Sequence, residues 1–415
     1  MVIMSHQKKL LLMLLVKLII GIPSSSTDKG INFLTISDMH LNNEQKHIME
    51  FDPLGFDQNN DMDLQSLFKI SYSIKKNIGP GKLISSPLDF VLYLGDGVGH
   101  QRTWELNRTK LVEETEHIVF KTLQEAFPHT PIISIFGNND SFEKDYGKFI
   151  FKDMSTYNMA NQSGFKNGFL SSGTRCDNIM PYSFPCIFSE NHVYGFFSVK
   201  IQTNLLLIGL NTVMFSPYYN AKPHEIKVQM EYLKTHLELA RASGISVLIA
   251  MHIPVGKNVY DGTTFWKKSY QDTFLKLIRT YHNQIKGLLV SHTHMEEFKI
   301  IKVPSGQDIG EFFTAGLSTS HGNSPSVKVF QLKNHEEDWE IQNYITYQIH
   351  EKNDEIVISK FYDFLSTYCV EFPSNIRSIN SCLSQIKFNQ TLPRFTVNNP
   401  NFKQNITSPE AFYVN

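Results

Sequence analysis

"INFLTISDMH", Ile31 to His40, sets the reading of the whole chain. A nearly continuous apolar run ends at Ser37, and two metal-donor residues follow it, Asp38 and His40. Runs of this length and character suit a strand buried on both faces. Alternate residues of an extended segment point the same way, so Asp38 and His40 can reach one centre.

The pattern recurs down the chain. "FVLYLGD", "PIISIFGN", "LLLIGLN", "SVLIAMH" and "GLLVSH" are also short apolar runs that end in a metal- or phosphate-binding residue. Helical stretches lie between them. In "EIKVQMEYLKTHLELA", Ile226, Met230, Leu233, Leu237 and Ala240 repeat at helical spacing and give one apolar face. "ELNRTKLVEETEHIVFKTLQEAF" and "SYQDTFLKLIRTYHNQI" behave similarly. Strand–helix alternation predicts an α/β layered core. Two regions are less regular. Residues 141–204 form a long excursion rich in Asn, Ser, Gly, Phe and Tyr, and residues 333–415 read as a C-terminal subdomain packed on the core.

The donors come in a fixed order: Asp38 and His40, then Asp96, then Asn138, then His252, then His292 and His294. In an open α/β sheet the carboxyl ends of neighbouring strands converge on one edge, where ligands bind. These are nitrogen and oxygen donors of the kind that holds Zn, Fe or Mn rather than an all-oxygen calcium site. Seven are too many for one ion and suit two ions that share a bridging carboxylate. A single strand-end histidine is more often a satisfied polar residue than a ligand. The weight lies in the ordered set.

Bulk properties narrow the field. The chain has 415 residues, with 41% hydrophobic and 19% charged residues and a net charge of -1. That is an ordinary globular composition, and no long-range field favours a nucleic-acid polymer or an anionic membrane. Lys8 and Lys9 precede "LLLMLLVKLIIGIP" and "SSST", which predicts a signal peptide over residues 1–26, cut near Ser24 to Ser26. An uncleaved interfacial anchor is the alternative. The run from Leu10 to Ile22 is broken by Lys17 and is short for a bilayer, so no transmembrane anchor is expected. The four cysteines, Cys176, Cys186, Cys369 and Cys382, allow three connectivities, of which local pairing is the simplest. Each local bridge would contribute about 2–3 kcal/mol. Sequons at Asn107, Asn161, Asn389 and Asn405 support passage through a secretory route, and Asn139-Asp140-Ser141 spells a fifth.

Taken together, these motifs resemble those of the calcineurin-like metallophosphoesterases: Asp-x-His, Gly-Asp, Gly-Asn-His-Asp/Glu, His and Gly-His-x-His. "GDGVGH", "MHIPVG", "LVSHTHMEEF" and "SPSVKVFQL" are similar to segments of the acid sphingomyelinase-like phosphodiesterases within that superfamily. The resemblance covers about Ile31 to Leu332 and a cysteine-bearing C-terminal part. It points to the branch lacking a saposin-like segment. It implies a four-layer α/β/β/α sandwich over residues 27–332 with a small, mainly helical C-terminal subdomain over 333–415. One cation, with zinc the expected metal, would be held by Asp38, His40 and His294. The other would be held by Asn138, His252 and His292, with Asp96 bridging. A hydroxide activated between the cations would attack phosphorus. The implied substrate is a small phosphodiester, nucleotide or phospholipid. A secreted monomer is expected, with a lysosome-like or vacuolar lumen as the alternative location. Asp140 is a candidate partner for the ligand histidines.

The chain departs from the pattern in "SIFGNNDSF", where Asn139 replaces the motif histidine. An amide can donate a hydrogen bond but cannot give up a proton. Three consequences are open. His100 alone supplies the acid, or the chain favours leaving groups that need little protonation, or it is a metal-binding pseudo-enzyme that holds phospho-ligands. Ser291 stands where the last motif usually has glycine, Met295 follows the last ligand, and His321 reads as a loop residue.

Overall fold

The computed structural model describes residues 30–42, 61–100, 108–151, 154–156, 169–171, 175–176, 184–259, 261–304, 306–320, 324–353, 355–369, 378–386 and 413–414. The expected signal peptide, the sequons at Asn107, Asn161, Asn389 and Asn405, and His321 lie outside the described residues.

The apolar runs become strands. β1 (Ile31–Ile36), β2 (Phe90–Tyr93) and β3 (Ile132–Ser134) pair in parallel. On the other side of β1 the first sheet continues antiparallel through β13 (Ser326–His335), β14 (Asp338–Lys352) and β15 (Glu355–Asp363). The second sheet is built on a parallel centre of β8 (Leu205–Leu210), β9 (Ser246–Met251), β10 (Ile285–Val290) and β12 (Ile309–Phe313). Every residue of β2, β8, β9 and β10 is buried, as strands covered on both faces must be. Antiparallel β6 (Cys186–Asn191) and β7 (Phe196–Gln202) extend one edge, and β11 (Phe298–Ile301) the other, while β4 (Ile150–Phe151) and β5 (Met154–Ser155) form a separate short pair.

The sheets pack face to face. Phe312 of β12 meets Phe330 of β13 and Tyr344 of β14 edge-on. A side chain at Gly287 of β10 would run into Ile341 of β14. Helices close the outer faces. α1 (Leu64–Asn77) packs on β15 and on α2 (Arg108–Ala126), and α3 (Pro223–Ser243) packs on β9 and α4 (Lys268–Thr280). The predicted helical face of α3 is the buried one, with Ile226, Met230, Leu233, Leu237 and Ala240 all inside. The result is the expected α/β/β/α sandwich.

The C-terminal expectation needs correction. The boundary predicted at residue 333 falls inside β13, and the residues that follow are mainly strand, not helix. β14 and β15 extend the first sheet, and only α5 (Phe364–Tyr368), α6 (Ile379–Cys382) and a short 3₁₀ turn are helical among the described residues there. Both cysteine pairs are local, Cys176 with Cys186 and Cys369 with Cys382. The second joins α5's end to α6.

Candidate metal centre

The parallel strands of both sheets point their carboxyl ends to one edge, and the donors sit just beyond them. Backbone pairing continues past the strands: Asp38 N–H donates to Gly95 O at 2.9 Å, and His40 N–H to Asp96 O at 3.0 Å. The loops after β1 and β2 therefore run side by side. Asp38, His40, Asp96, His292 and His294 all have left-handed backbone, with φ of 47°, 43°, 55°, 78° and 59°. A side chain makes that region costly, and residues held there cluster at functional sites.

Asp140 is one of the groups that hold this backbone. Its Oδ2 accepts from Asp96 N–H and Gly137 N–H at 2.8 and 2.7 Å, and its Oδ1 accepts from Gly97 N–H and Val98 N–H at 2.9 and 3.2 Å. Its hydrogen bonds thus go to the backbone of the two loops, not to a ligand histidine as expected from sequence. The glycines before Asp96 and Asn138 are dictated by contact. A Cβ at Gly137 would lie 2.1 Å from Asp96 Oδ1, and one at Gly95 would lie 2.4 Å from Gly137 N.

The side chains converge. His40 Nε2 lies 3.0 Å from His294 Nε2, and Asp38 Oδ1 lies 3.5 to 3.9 Å from Nε2 of His294, His40 and His252. Asp96 Oδ2 lies 3.6 Å from His40 Nε2 and 3.3 Å from His252 Nε2, which puts Asp96 between two groups of imidazoles. Donor atoms of Asp96, His252 and His292 fall within 4.8 Å of one another, as do those of Asp38, His40 and Asp96, and those of His40, His100 and His294. Asn138 turns Nδ2 to Asp145 Oδ1 at 2.7 Å.

Asp38 Oδ1, Asn138 Oδ1 and His252 Nε2 are among the buried atoms here with no hydrogen-bond partner among the described residues. Buried polar atoms are nearly always satisfied. Asp38 Oδ1 and His252 Nε2 lie 3.9 Å apart, and unsatisfied oxygen and nitrogen donors facing one another in this way fit a divalent cation. His252 is oriented for this role by Nδ1, 2.7 Å from Leu94 O.

The cluster's electrostatics fit as well. Burial pushes Asp38 up, but His294, His40 and His252 overcome it and hold its carboxyl far below the usual range. Asp96 behaves alike through His252, His40 and His292. Burial lowers His40 and His252, yet the two carboxylates raise them to about 9 and about 10. His292 is lowered to about 3 by burial and by His252. The carboxylates are thus held anionic at the centre of a nitrogen cage.

The two residues read from sequence as catalytic lie differently. Asn139 is 2% exposed and is turned onto Asp96: its N–H meets Oδ1 at 2.8 Å and its Nδ2 meets Oδ2 at 3.1 Å. His100 is at the rim, stacked on His40 with ring centroids 4.1 Å apart. His100 Nδ1 pairs with Asp61 Oδ1 at 2.8 Å, and Ser320 Oγ donates to the same oxygen at 3.0 Å. Sequence reading missed Asp61, which no strand end marks. It also missed Tyr146, whose hydroxyl lies 3.1 Å from His292 Nε2, and Asp145. Both belong to the irregular stretch after Asn139. Their only signal was proximity in sequence to Asn138.

No family model matches the chain. Among curated proteins it is 25% identical over 266 residues to sphingomyelinase phosphodiesterase D of Dictyostelium discoideum, covering 60% of this chain and 53% of that protein. It is 23% identical over 274 residues to acid sphingomyelinase-like phosphodiesterase 3b of Homo sapiens, covering 62% and 56%. The chain thus spans about half the length of these curated relatives. A dimetal phosphatase from Danio rerio aligns over 80% of this chain and 99% of its own, with a TM-score of 0.43 and 13% identity. These curated relatives are the sphingomyelinase-type phosphodiesterases that the motifs resemble.

Proposed function

We propose that this protein is a metal-dependent phosphodiesterase that cleaves phosphodiester or phosphoanhydride bonds of small molecules, nucleotides or sphingomyelin-like lipids. The observation that carries the reading is the convergence of six of the seven ordered strand-end donors, Asp38, His40, Asp96, His252, His292 and His294, from both sheets on one buried region. Asp38, His40 and His294 would hold one divalent cation, for which zinc is our choice. Asn138, His252 and His292 would hold the other, with Asp96 between them. When bound, two such cations activate a water and clamp phosphoryl oxygens.

The chain's own part is positioning and proton delivery. Asp140 fixes both loops through four backbone bonds, so the donors stand ready before any ligand arrives. His100, at the rim, presents Nε2 as the atom that protonates the leaving oxygen, while Asp61 holds Nδ1 and sets the tautomer. A positioned acid is typically worth ~10²–10⁴-fold. Asn139 cannot replace it, because its amide has no proton to give. The relatives' names and the two disulfides support a secreted or lysosome-like setting, since disulfides persist in oxidising compartments. No helix among the described residues is long and apolar enough to cross a membrane.

One observation favours a second reading. The Asn139 side chain donates its amide to Asp96 and supplies no acid, as a low-turnover protein that only binds phospho-ligands would tolerate. Metal content measured alongside hydrolysis of ATP, CDP-choline and sphingomyelin, at acidic and neutral pH, separates the readings. Two ions with turnover support the enzyme. Two ions without turnover support the binder. A chain that takes up no metal ends both.

A further inference from the structure

Ser291, the second departure from the motif, is fully buried between the sheets. It follows β10 of the second sheet, and its N–H donates to His252 O at 3.1 Å. Its hydroxyl contacts Oδ2 of Asp38, which follows β1 of the first sheet, and lies 2.8 Å from Thr314 O at the end of β12. Asp38 thereby has two unlike oxygens. Oδ2 is engaged by Ser291. Oδ1 has no hydrogen-bond partner among the described residues and faces Nε2 of His294, His40 and His252. A glycine here would remove the hydroxyl contact to Oδ2.

We infer that Ser291 is a positioning residue that fixes the Asp38 carboxylate across the sheet interface, so that Oδ1 alone is presented as a single-oxygen donor to the cation held with His40 and His294. The hydroxyl does not touch substrate or ion. It sets which atom does, and its cross-sheet bond couples the separation of the sheets to the geometry of that one site. Groups that orient a ligand in this way typically change metal affinity by ~10–100-fold when removed. The effect belongs to one of the two cation positions, because the hydroxyl's described partners are Asp38 and Thr314 and no described bond joins it to Asn138, His252 or His292; the Ser291 N–H bond to His252 O does not depend on the side chain. The inference rests on the two-cation reading above.

The test is calorimetric titration of Zn²⁺ into the metal-stripped full chain, with the melting temperature recorded with and without metal. Wild type should bind two ions. Ser291→Ala should weaken one binding step ~10–100-fold, leave the other step unchanged, and reduce the metal-induced rise in melting temperature. Ser291→Gly, which also lacks the hydroxyl, should show the same loss, and it carries the test if the alanine variant fails to fold. Two unchanged steps in either variant would overturn the inference and leave the two-cation reading standing. So would equal weakening of both steps with a lower metal-free melting temperature, the mark of a merely structural residue. A wild-type chain that binds no ion would remove the reading and the inference together.

Discussion

Two of the regions with left-handed backbone among the described residues have it for different reasons. At the turn between β13 and β14, Glu336 and Glu337 have φ of 52° and 72° and are exposed. A two-residue hairpin turn of the type that follows strand twist needs positive φ at both positions, whatever the side chains do. In the candidate centre the same conformation is buried and falls on Asp38, His40, Asp96, His292 and His294. There it aims side chains. The turn would work better with other residues, whereas on the proposed two-cation reading the centre keeps costly ones for their donor atoms. On that reading, backbone strain points to function where it coincides with burial and a donor atom.

Removing what holds the strained loops should have the largest effect. Asp140→Ala would orphan four buried N–H groups, each costing about 1–3 kcal/mol. The expected outcome is an insoluble or strongly destabilised chain that retains no metal. Wild-type melting behaviour would show that the loops are held by something else. Next in size is His100→Ala, which should lower turnover ~10²–10⁴-fold while metal content stays at the wild-type level. Unchanged turnover would remove His100 as the acid, and Asn139→His should then raise turnover on substrates that release an alkoxide.

A buried carboxyl outside both regions gives a pH test. Burial pushes Glu311 up to about 8, with Lys299 and the Val255 N–H opposing. Its folded-state pKa exceeds the unfolded value of 4.5, so the folded state holds more protons in that window. Stability is therefore present at low pH and lost as pH rises through about 8, by on the order of a few kcal/mol. Glu311→Gln should flatten the dependence of denaturation midpoint on pH between 5 and 8 (approximate bounds of that window); a slope equal to wild type would assign it to other groups. The smallest effect belongs to the turn. Glu336→Gly should raise stability by about 1 kcal/mol by relieving left-handed strain, with turnover and metal content unchanged. A loss of turnover there would break the distinction between the two regions.

Much of the centre was readable before the structure because its signals are local. An apolar run and the donor that ends it lie within ten residues in "INFLTISDMH". The partners that complete the site were not local. Asp61 reaches His100 only because Leu41 pairs with Met62 and Val98 in isolated bridges that gather three loops. The C-terminal strands were missed for another reason. Pairing shifts between Gln331 and Leu332 against β14, and again between Thr346 and Tyr347 against β15. A bulge flips the alternation of faces partway along a strand, so a fixed period of two finds no long match. "DWEIQNYITYQIHEK" is one strand with its pattern interrupted, and it reads as little periodicity.

The burial of Asn139-Asp140-Ser141 has a consequence for biogenesis. Asn139 is 2% exposed and Ser141 is fully covered, so the tripeptide is legible to oligosaccharide transfer only while the chain is extended. On a secretory route, core closure and sugar attachment would compete for one nitrogen. Closure turns that nitrogen onto Asp96, while attachment would leave a bulky sugar with no room beneath the loops. A glycan at Asn139 would then be a permanent record of a molecule that folded too late, and its frequency would report how fast this edge of the sandwich forms in the cell.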